Sequence, residues 1–284
     1  MKTFTKLLGA LIMIDTAMFA GCTTSSGASK ISDTQKEEKI LRNDDGIAVY
    51  CPAKYTAKNP DTDYGFTVHK LYYSTVCEKN KFISVTLPAG YTEEKKYPVL
   101  YVLHGYWGTE QSMTGCSTTI GNMIADKKAE EMIIVYPFIY SSKTKMQCTS
   151  FSDPADWEAY DNFVNEIKTD IMPWVKENFS VKEGRENTAI TGFSMGGREA
   201  LACGIAHPDL FGYVGAMAPA PGLTPNTMHP GQYPESEAKF PEGKEPVLLL
   251  CCGDCDSVVT SYPLSYHNIF VKNNVKHTWW FVPG

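Results

Sequence analysis

Short apolar runs alternate with longer amphipathic stretches along the chain from residue 67 onwards. The run at 98–103 is continuously apolar, which predicts a central strand covered on both faces. Alternating strand and helix signals are typical of a mostly parallel sheet flanked by helices. The predicted fold class is therefore α/β, in a single domain. Strands are predicted at 67–73, 81–87, 98–103, 132–136, 188–191, 213–218, 247–252 and 277–282.

The longest helical pattern covers residues 155–178. Its apolar residues recur at helical spacing, and Pro173 is expected to kink or split the helix because proline has no N–H to donate. Further helices are predicted at 197–206 and 257–273. The apolar positions of the long helix are Trp157, Tyr160, Val164, Ile167, Ile171 and Trp174.

The first 30 residues have the pattern of a targeting sequence. Two lysines precede an apolar stretch at 7–20, which runs into Phe19-Ala20-Gly21-Cys22, a sequence similar to a bacterial lipobox. We expect an extracytoplasmic protein, tethered to the cell surface by lipid on Cys22. A plain secretory signal and an uncleaved anchor are the alternatives. The predicted organisation is a signal peptide at 1–21, a tether and lead-in at 22–65, and one folded domain at 66–284.

Charge and cysteine usage narrow the function further. The formal net charge is -6 and no long basic run occurs, so a nucleic-acid partner is not expected. Nine cysteines are present, and those after Cys22 could be free thiols or form one or two bridges. Cys252 and Cys255 have C-x-x-C spacing, but no second pair with zinc-like spacing accompanies them. Neither a metal nor another cofactor is expected.

The strongest chemical signal is Gly192-Phe193-Ser194-Met195-Gly196-Gly197, between a strand-like run and a helix-like segment. This G-x-S-x-G pattern is typical of the nucleophile elbow, the sharp strand-to-helix turn on which α/β-hydrolases carry a reactive serine. Glycines suit such a turn because a side chain there would meet the neighbouring backbone. Ser194 is the predicted nucleophile.

A serine hydroxyl needs a base, a carboxylate that orients the base, and N–H groups that bind the oxyanion. The predicted oxyanion donors are the backbone N–H groups of Met195, which follows the serine, and of Tyr106, in the loop after 98–103. His104 ends a buried strand before that loop and is expected to be structural. The acid should follow a late strand, and spacing alone leaves Asp254 and Asp256 equally placed after 247–252.

The base is expected in the loop after the last strand, because the chain order in these enzymes is serine, acid, histidine. Only His267 and His277 follow the candidate acids. His267 lies within a predicted helix, and His277 opens the last predicted strand, at the edge of the sheet opposite Ser194. Both are expected to be structural. We therefore expect the sequence to stop short of the catalytic histidine and the closing helix, and the chain as given to be nearly inactive.

Five segments together resemble the feruloyl esterase and acetylxylan esterase group, carbohydrate esterase family 1, over residues 67–284. The resemblance implies an α/β-hydrolase fold and selects Asp256, the aspartate before a serine, as the acid. It also implies oxyanion donors at Tyr106 and Met195, and a catalytic histidine a few residues beyond Gly284. The matching segments are 101–105, 160–163, 192–197, 252–257 and 280–284.

The implied activity is hydrolysis of feruloyl or acetyl esters on plant cell-wall xylan, by a Ser-His-Asp triad through an acyl-enzyme. Trp107 and Trp157 are expected to contact the substrate, and His229 is placed in a loop that could cover the site. Acyl transfer by an enzyme of the same fold is one alternative. A glycan-binding relative without catalysis is the other.

Overall fold

The computed structural model describes residues 50–259 and 261–282, so the predicted signal peptide and Cys22 lie outside the described residues. The eight strands are β1 (Phe66–Ser74), β2 (Lys79–Leu87), β3 (Val99–Leu103), β4 (Ile133–Pro137), β5 (Thr188–Phe193), β6 (Tyr213–Met217), β7 (Val247–Gly253) and β8 (Thr278–Val282). They form one sheet in the order β1-β2-β4-β3-β5-β6-β7-β8. Only the β1–β2 and β2–β4 pairings are antiparallel. The predicted α/β fold with a mostly parallel sheet is confirmed.

Helices cover both faces of this sheet. Alternate residues of β3 point to opposite sides: Tyr101 and Leu103 belong to one buried cluster, and Leu100 and Val102 to the other. This double burial explains the continuous apolar run at 98–103. The helices are α1 (Ala53–Thr56), α2 (Cys116–Ala125), α3 (Pro154–Asp161), α4 (Phe163–Glu166), α5 (Met172–Asn178), α6 (Met195–Ala206) and α7 (Tyr262–Lys272), with a π-helical turn at Ile167–Ile171 and 3-10 turns at Arg185–Asn187 and Glu235–Glu237.

The helix predicted at 155–178 is divided into three helices and a π-helical turn. The chain turns at Asn162, between α3 and α4, a break that the apolar spacing did not reveal. Further on, Pro173 lacks an N–H, and the preceding Met172 N–H bonds the carbonyl of Ile167, five residues back. The helix is thus not split at Pro173; it runs on from Phe163 to Asn178, with a π-helical turn just before the proline.

Two other boundaries differ from the sequence prediction. The helix expected at 257–273 begins only at Tyr262, because the residues after β7 form a loop. The last strand begins at Thr278, so His277 lies just before it. No helix was predicted at Cys116–Ala125, whose mixture of threonine, glycine and asparagine gives a weak helical signal. β1 and β2 form an antiparallel hairpin, and its turn at 75–78 includes Glu78 at φ 54°.

The parallel strands bring their following loops together at one edge of the sheet. Loops after β3, β5 and β7 carry the predicted oxyanion donor, nucleophile and acid, respectively. All eight cysteines from Cys51 to Cys255 are free thiols in the described structure. Among residues 50–259 and 261–282, no helix is long and apolar enough to cross a membrane.

Candidate active site

Ser194 lies at the sharp turn between β5 and α6. Its φ and ψ are 55° and −115°, a sparsely populated conformation for a residue with a side chain. Three backbone hydrogen bonds hold it: its N–H donates to Met217 (2.9 Å), and its carbonyl accepts from Arg198 (3.0 Å) and Ala220 (2.9 Å). A strained backbone conformation of this kind persists only where the surrounding structure fixes it. At this turn it projects the Ser194 hydroxyl out of the strand–helix connection.

Two glycines make this turn possible. A Cβ on Gly192 would lie 2.4 Å from the Gly196 carbonyl, and a Cβ on Gly196 would lie 2.4 Å from the carbonyl oxygen of Leu103. No side chain fits at either distance, so β3, β5 and the first turn of α6 approach each other only because both positions lack a Cβ. The glycine requirement inferred from the sequence is confirmed.

The two predicted oxyanion donors flank Ser194. Met195 is the first residue of α6, so its N–H lies at the positive end of a helix. The loop after β3 lies on the other side, because a Cβ on Gly105 would come 3.6 Å from Ser194 Cβ. Tyr106 follows Gly105, which brings its N–H to the same edge. This arrangement can stabilise a negative oxygen formed next to Ser194.

His104 fixes the peptide that carries the Tyr106 N–H. Its Nδ1 lies 2.7 Å from the Gly105 carbonyl oxygen, which also accepts from the Gly108 N–H at 3.0 Å. Its Nε2 accepts from the Ile139 N–H at 3.1 Å. The Gly105 carbonyl and the Tyr106 N–H belong to one planar peptide and point in opposite directions, so holding the oxygen orients the N–H. The structural role predicted for His104 is confirmed.

Stability should fall in acid because of His104. Burial lowers the pKa of His104 from 6.5 to about 4, because the side chain is only 1% exposed, and the bond to the Gly105 carbonyl offsets only part of this effect. The unfolded chain binds the proton first, so stability from this residue is complete above pH 6.5 and is lost as the pH falls towards 4. The loss amounts to about 3 kcal/mol. Urea unfolding at several pH values measures it, and a His104→Gln variant should show a flatter profile over the same range. Equal slopes for both proteins would contradict this assignment.

Tyr106 also anchors an aromatic group beside the nucleophile. Its carbonyl accepts hydrogen bonds from the Tyr160 hydroxyl and from the Cys148 thiol (3.1 Å). Its ring stacks on Phe151 with centroids 3.9 Å apart and meets Trp107 edge to face at 4.7 Å. Trp107 is 63% exposed and Phe151 48% exposed, so both present ring surface to solvent. Phe151 was not singled out from the sequence.

Asp156 holds the loop that carries Phe151. Its fully buried carboxylate accepts from the Tyr140 hydroxyl (2.5 Å), from Lys145 (2.9 Å) and from the Ser150 N–H (2.9 Å). Burial alone would raise the pKa of Asp156, but these donors bring it far below its usual range. The sequence does hold a sign of its burial. Asp156 lies four residues before Tyr160, so this acidic residue is on the same face of the long helix as the apolar residues.

Trp157 lies beneath the surface and supports the site. It is 4% exposed, and its indole N–H donates to the Phe151 carbonyl at 2.8 Å. Its ring packs against His229, with centroids 5.0 Å apart, and lies 5.2 Å from the Arg198 guanidinium. We expected Trp157 to contact substrate, but a ring this enclosed presents almost no surface to a ligand. It positions Phe151 instead.

A buried charge cluster lies one turn after the nucleophile, on α6. Arg198 donates to Asp161 at 2.8 Å and pairs with Glu199, and both Arg198 and Glu199 are fully buried. His229 Nε2 lies 3.1 Å from Asp161, and the Gln232 amide donates to the same carboxylate at 2.7 Å. Burial raises the pKa of Glu199. The loop after β6 is thus docked beside the site through His229, which is 7% exposed.

The two candidate acids differ in how firmly they are held. Asp256 is half-buried, and its carboxylate accepts from the N–H groups of Val258 (2.8 Å) and Val259 (3.0 Å). Asp254 is exposed, and its N–H donates to the Val282 carbonyl, which ties this loop to the end of β8. Asp256 therefore has the fixed carboxylate that orienting a histidine requires.

The histidines near the end of the sequence are paired with each other. His267 Nδ1 lies 2.8 Å from His277 Nε2, and His277 Nδ1 lies 2.8 Å from the Val275 carbonyl. Both are at the amino end of β8, the edge opposite Ser194. Their predicted structural role is confirmed. His229 has both ring nitrogens engaged as well, one by Asp161 and one by the Gly231 N–H at 2.9 Å.

A strained serine at the carboxyl end of a parallel strand, with a helix N-terminus behind it, defines an α/β-hydrolase with a serine nucleophile site. Residues 74–250 match the sequence profile of the Esterase family. The chain belongs to the Esterase family.

Relatives and solved structures agree with this membership. The chain is 28% identical over 225 residues to an endo-1,4-beta-xylanase/feruloyl esterase of Xylanibacter ruminicola, covering 75% of this chain and 28% of that protein. A CE1 ferulic acid esterase from Anaeromyces mucronatus, solved in complex with ferulic acid, is 43% identical with a TM-score of 0.77, over 82% of this chain and 89% of that one. An S-formylglutathione hydrolase from Staphylococcus aureus, 17% identical with a TM-score of 0.58 over 80% and 92%, shares the fold.

Proposed function

We propose that this protein is a serine carboxylic-ester hydrolase that removes feruloyl or acetyl groups from plant cell-wall xylan. The observation that carries the proposal is Ser194, held in a strained turn at the N-terminus of α6 with the Tyr106 loop against it. The 43% identity to a ferulic acid esterase supports the substrate class. The xylanase/feruloyl esterase relative supports a cell-wall substrate.

The proposed reaction has two halves. Ser194 Oγ attacks the ester carbonyl while a histidine takes its proton, and the N–H groups of Met195 and Tyr106 bind the oxyanion. Collapse of the tetrahedral intermediate breaks the ester bond, and the histidine returns the proton to the leaving sugar hydroxyl. A water molecule then attacks the acyl-enzyme in the same way, which releases the carboxylic acid and restores Ser194.

The proposed base is a histidine in the loop after β8, a few residues beyond Gly284. The loop after β8 would emerge at the same edge as the loops after β5 and β7, because these strands are parallel. The Asp254 N–H already ties the acid loop to Val282. A histidine that follows β8 could therefore reach both Asp256 and Ser194, which the amino-edge pair His267 and His277 cannot do.

The aromatic group formed by Tyr106, Trp107 and Phe151 supports a phenolic acyl group as the preferred substrate. Trp107 and Phe151 lie edge to face, 5.8 Å between centroids, and expose their rings next to the oxyanion loop. A cinnamoyl ring would gain stacking and apolar contact on such a surface, whereas an acetyl group is too small to reach it.

Truncating this surface should separate the two substrates. For Trp107→Ala and Phe151→Ala we expect kcat/KM for methyl ferulate to fall about tenfold or more, since one aromatic contact contributes about 0.5–1.5 kcal/mol beyond its buried area. Hydrolysis of 4-nitrophenyl acetate should change little. The exposed Phe281, at the far edge strand β8, provides the matched control variant Phe281→Ala. If kcat/KM fell equally for methyl ferulate and 4-nitrophenyl acetate, the proposed preference for a phenolic acyl group would be wrong.

The proposed location is the outer cell surface, through lipid attached to Cys22. A polymeric substrate cannot enter a cell, so an esterase acting on it has to be exported. Export followed by tethering through the residues after Cys22 would keep the released sugars and acids near the cell. Labelling with a radioactive fatty acid, with Cys22→Ser as the comparison, tests the attachment.

A further inference from the structure

A cavity opens at the amino edge of the sheet, at the opposite edge from Ser194. It has a volume of about 390 Å³, within the range of small-molecule sites. Its floor is formed by the start of β3 and of β5, and α5 and the π-helical turn cover it from above. The residues with most bearing on its chemistry are Val99, Tyr101, Lys168, Met172, Pro173 and Leu210.

Tyr101 contributes a hydroxyl to the floor of this cavity. The residue is 2% exposed, and its hydroxyl forms no hydrogen bond with any residue in the described ranges. Burial raises the pKa of Tyr101, so the group stays a neutral hydroxyl that can donate or accept. A hydroxyl at the wall of a cavity that has no protein partner can bond a ligand that enters the cavity.

Cations outnumber anions among the charged groups at the rim of the cavity. Lys176 is paired with Glu183 at 2.8 Å, and Asp209 is paired with Lys244. Arg185 donates to backbone carbonyls, including those of Pro208 (3.0 Å) and Lys244 (2.8 Å).

Lys168 differs from these groups. It forms no ion pair with any residue in the described part of the chain, and it lies on the π-helical turn that bounds the cavity. The electrostatics at the rim therefore favour an anionic group.

The π-helical turn has a clear origin and a useful effect. The Met172 N–H bonds the Ile167 carbonyl, and the residue that follows is Pro173, which has no N–H of its own. The extra residue in this turn widens the helix just above the floor of the cavity. Such turns are frequent at functional sites, and this one is not part of the esterase site.

We propose that this cavity binds a small aromatic carboxylic acid. The carboxylate would pair with Lys168 at the rim, and the ring would pack among Met172, Pro173 and Leu210. An oxygen substituent at the far end of the ring would bond the Tyr101 hydroxyl. A single ring with a carboxylate and a hydroxyl opposite each other satisfies all three requirements.

Titration of the full-length protein with 4-hydroxybenzoate tests this site. With the methionine methyl groups labelled, the Met172 signal should shift with ligand concentration and give Kd, whereas the Met195 signal reports on the esterase site. Tyr101→Phe and Lys168→Gln should each weaken Kd at Met172 by about three- to tenfold, as expected for the loss of one hydrogen bond or ion pair. Lys182→Gln, a lysine outside the cavity lining, should leave Kd unchanged.

The proposal is overturned if the Met172 signal does not move at millimolar ligand. It is also overturned if either Tyr101→Phe or Lys168→Gln binds as the unaltered protein does. Lys168 is exposed, and Tyr101→Phe removes one unpaired oxygen, so both variants should fold, which circular dichroism verifies. Binding rather than hydrolysis is measured, so the outcome does not depend on the proposed esterase activity.

Discussion

Ser194→Ala is expected to abolish ester hydrolysis by the full-length protein, with kcat for methyl ferulate lower by about a millionfold. The hydroxyl is the attacking group, and no neighbouring atom can replace it. The backbone conformation of Ser194 is held by backbone hydrogen bonds to Met217, Arg198 and Ala220. These bonds do not involve the hydroxyl. The variant should therefore fold normally. Steady-state kinetics with methyl ferulate, together with a thermal melt, gives both quantities.

A matched control shows whether the loss of activity is specific to Ser194 or follows from replacing any serine by alanine. Ser261 is the N-cap residue just before α7, and its side chain forms no capping hydrogen bond. Ser261→Ala should therefore retain full activity. Residual hydrolysis by Ser194→Ala within tenfold of the unaltered protein would remove Ser194 as the nucleophile. Release of ferulate at full rate from Ser194→Ala would leave the turn as a structural element only.

Asp256→Asn is expected to lower kcat by about ten-thousandfold in the same assay, as when the acid of a serine triad is replaced by its amide. The Asp256 carboxylate accepts hydrogen bonds from the N–H groups of Val258 and Val259. The side-chain oxygen of an asparagine can accept the same two hydrogen bonds. The loop geometry should therefore persist. What changes is the ability to orient a histidine and to stabilise its charged form.

Asp254→Asn is the matched control two residues away. Its side chain is exposed, and the bond from its N–H to Val282 comes from the backbone, which the substitution leaves in place. We expect kcat within about threefold of the unaltered protein, as for most exposed substitutions. A loss confined to Asp254→Asn would transfer the acid role to that residue. Equal retention of activity by both variants would exclude this loop from catalysis.

The nucleophile turn could be predicted from the sequence because its signal is local. Gly192, Ser194 and Gly196 lie within five residues, and the contacts that demand glycine are between segments whose strand and helix patterns are also visible. The position of the Tyr106 loop next to Ser194 could be predicted for the same reason. A short connection after a buried strand leaves few positions for a backbone donor.

The surroundings of the site could not be predicted, because they depend on contacts between distant segments. Phe151 reaches Tyr106 across 45 positions, and the Asp156 carboxylate accepts from Tyr140, 16 positions before it. Periodicity shows which face of a helix is buried, but not which partner covers it. Trp157 was therefore correctly placed on the buried face of its helix, but its neighbours, and with them its role, were not visible.

Spacing also left the two aspartates unresolved. Asp254 and Asp256 follow the same strand, and only the backbone of the loop decides which carboxylate is fixed. The resemblance selected Asp256 by its following serine. The loop geometry supports that choice independently, because two backbone N–H groups hold the Asp256 carboxylate in one orientation.

The buried Arg198 cluster constrains how this protein can be altered by evolution or design. Arg198 pairs with Asp161 and Glu199, and His229 and Gln232, from the loop after β6, bind the Asp161 carboxylate. Exchanging the loop after β6 for that of a homologue would remove the His229 and Gln232 partners of Asp161, at a cost of about 1–3 kcal/mol. Grafts of this loop should therefore succeed only when Asp161 and its partners are transplanted together.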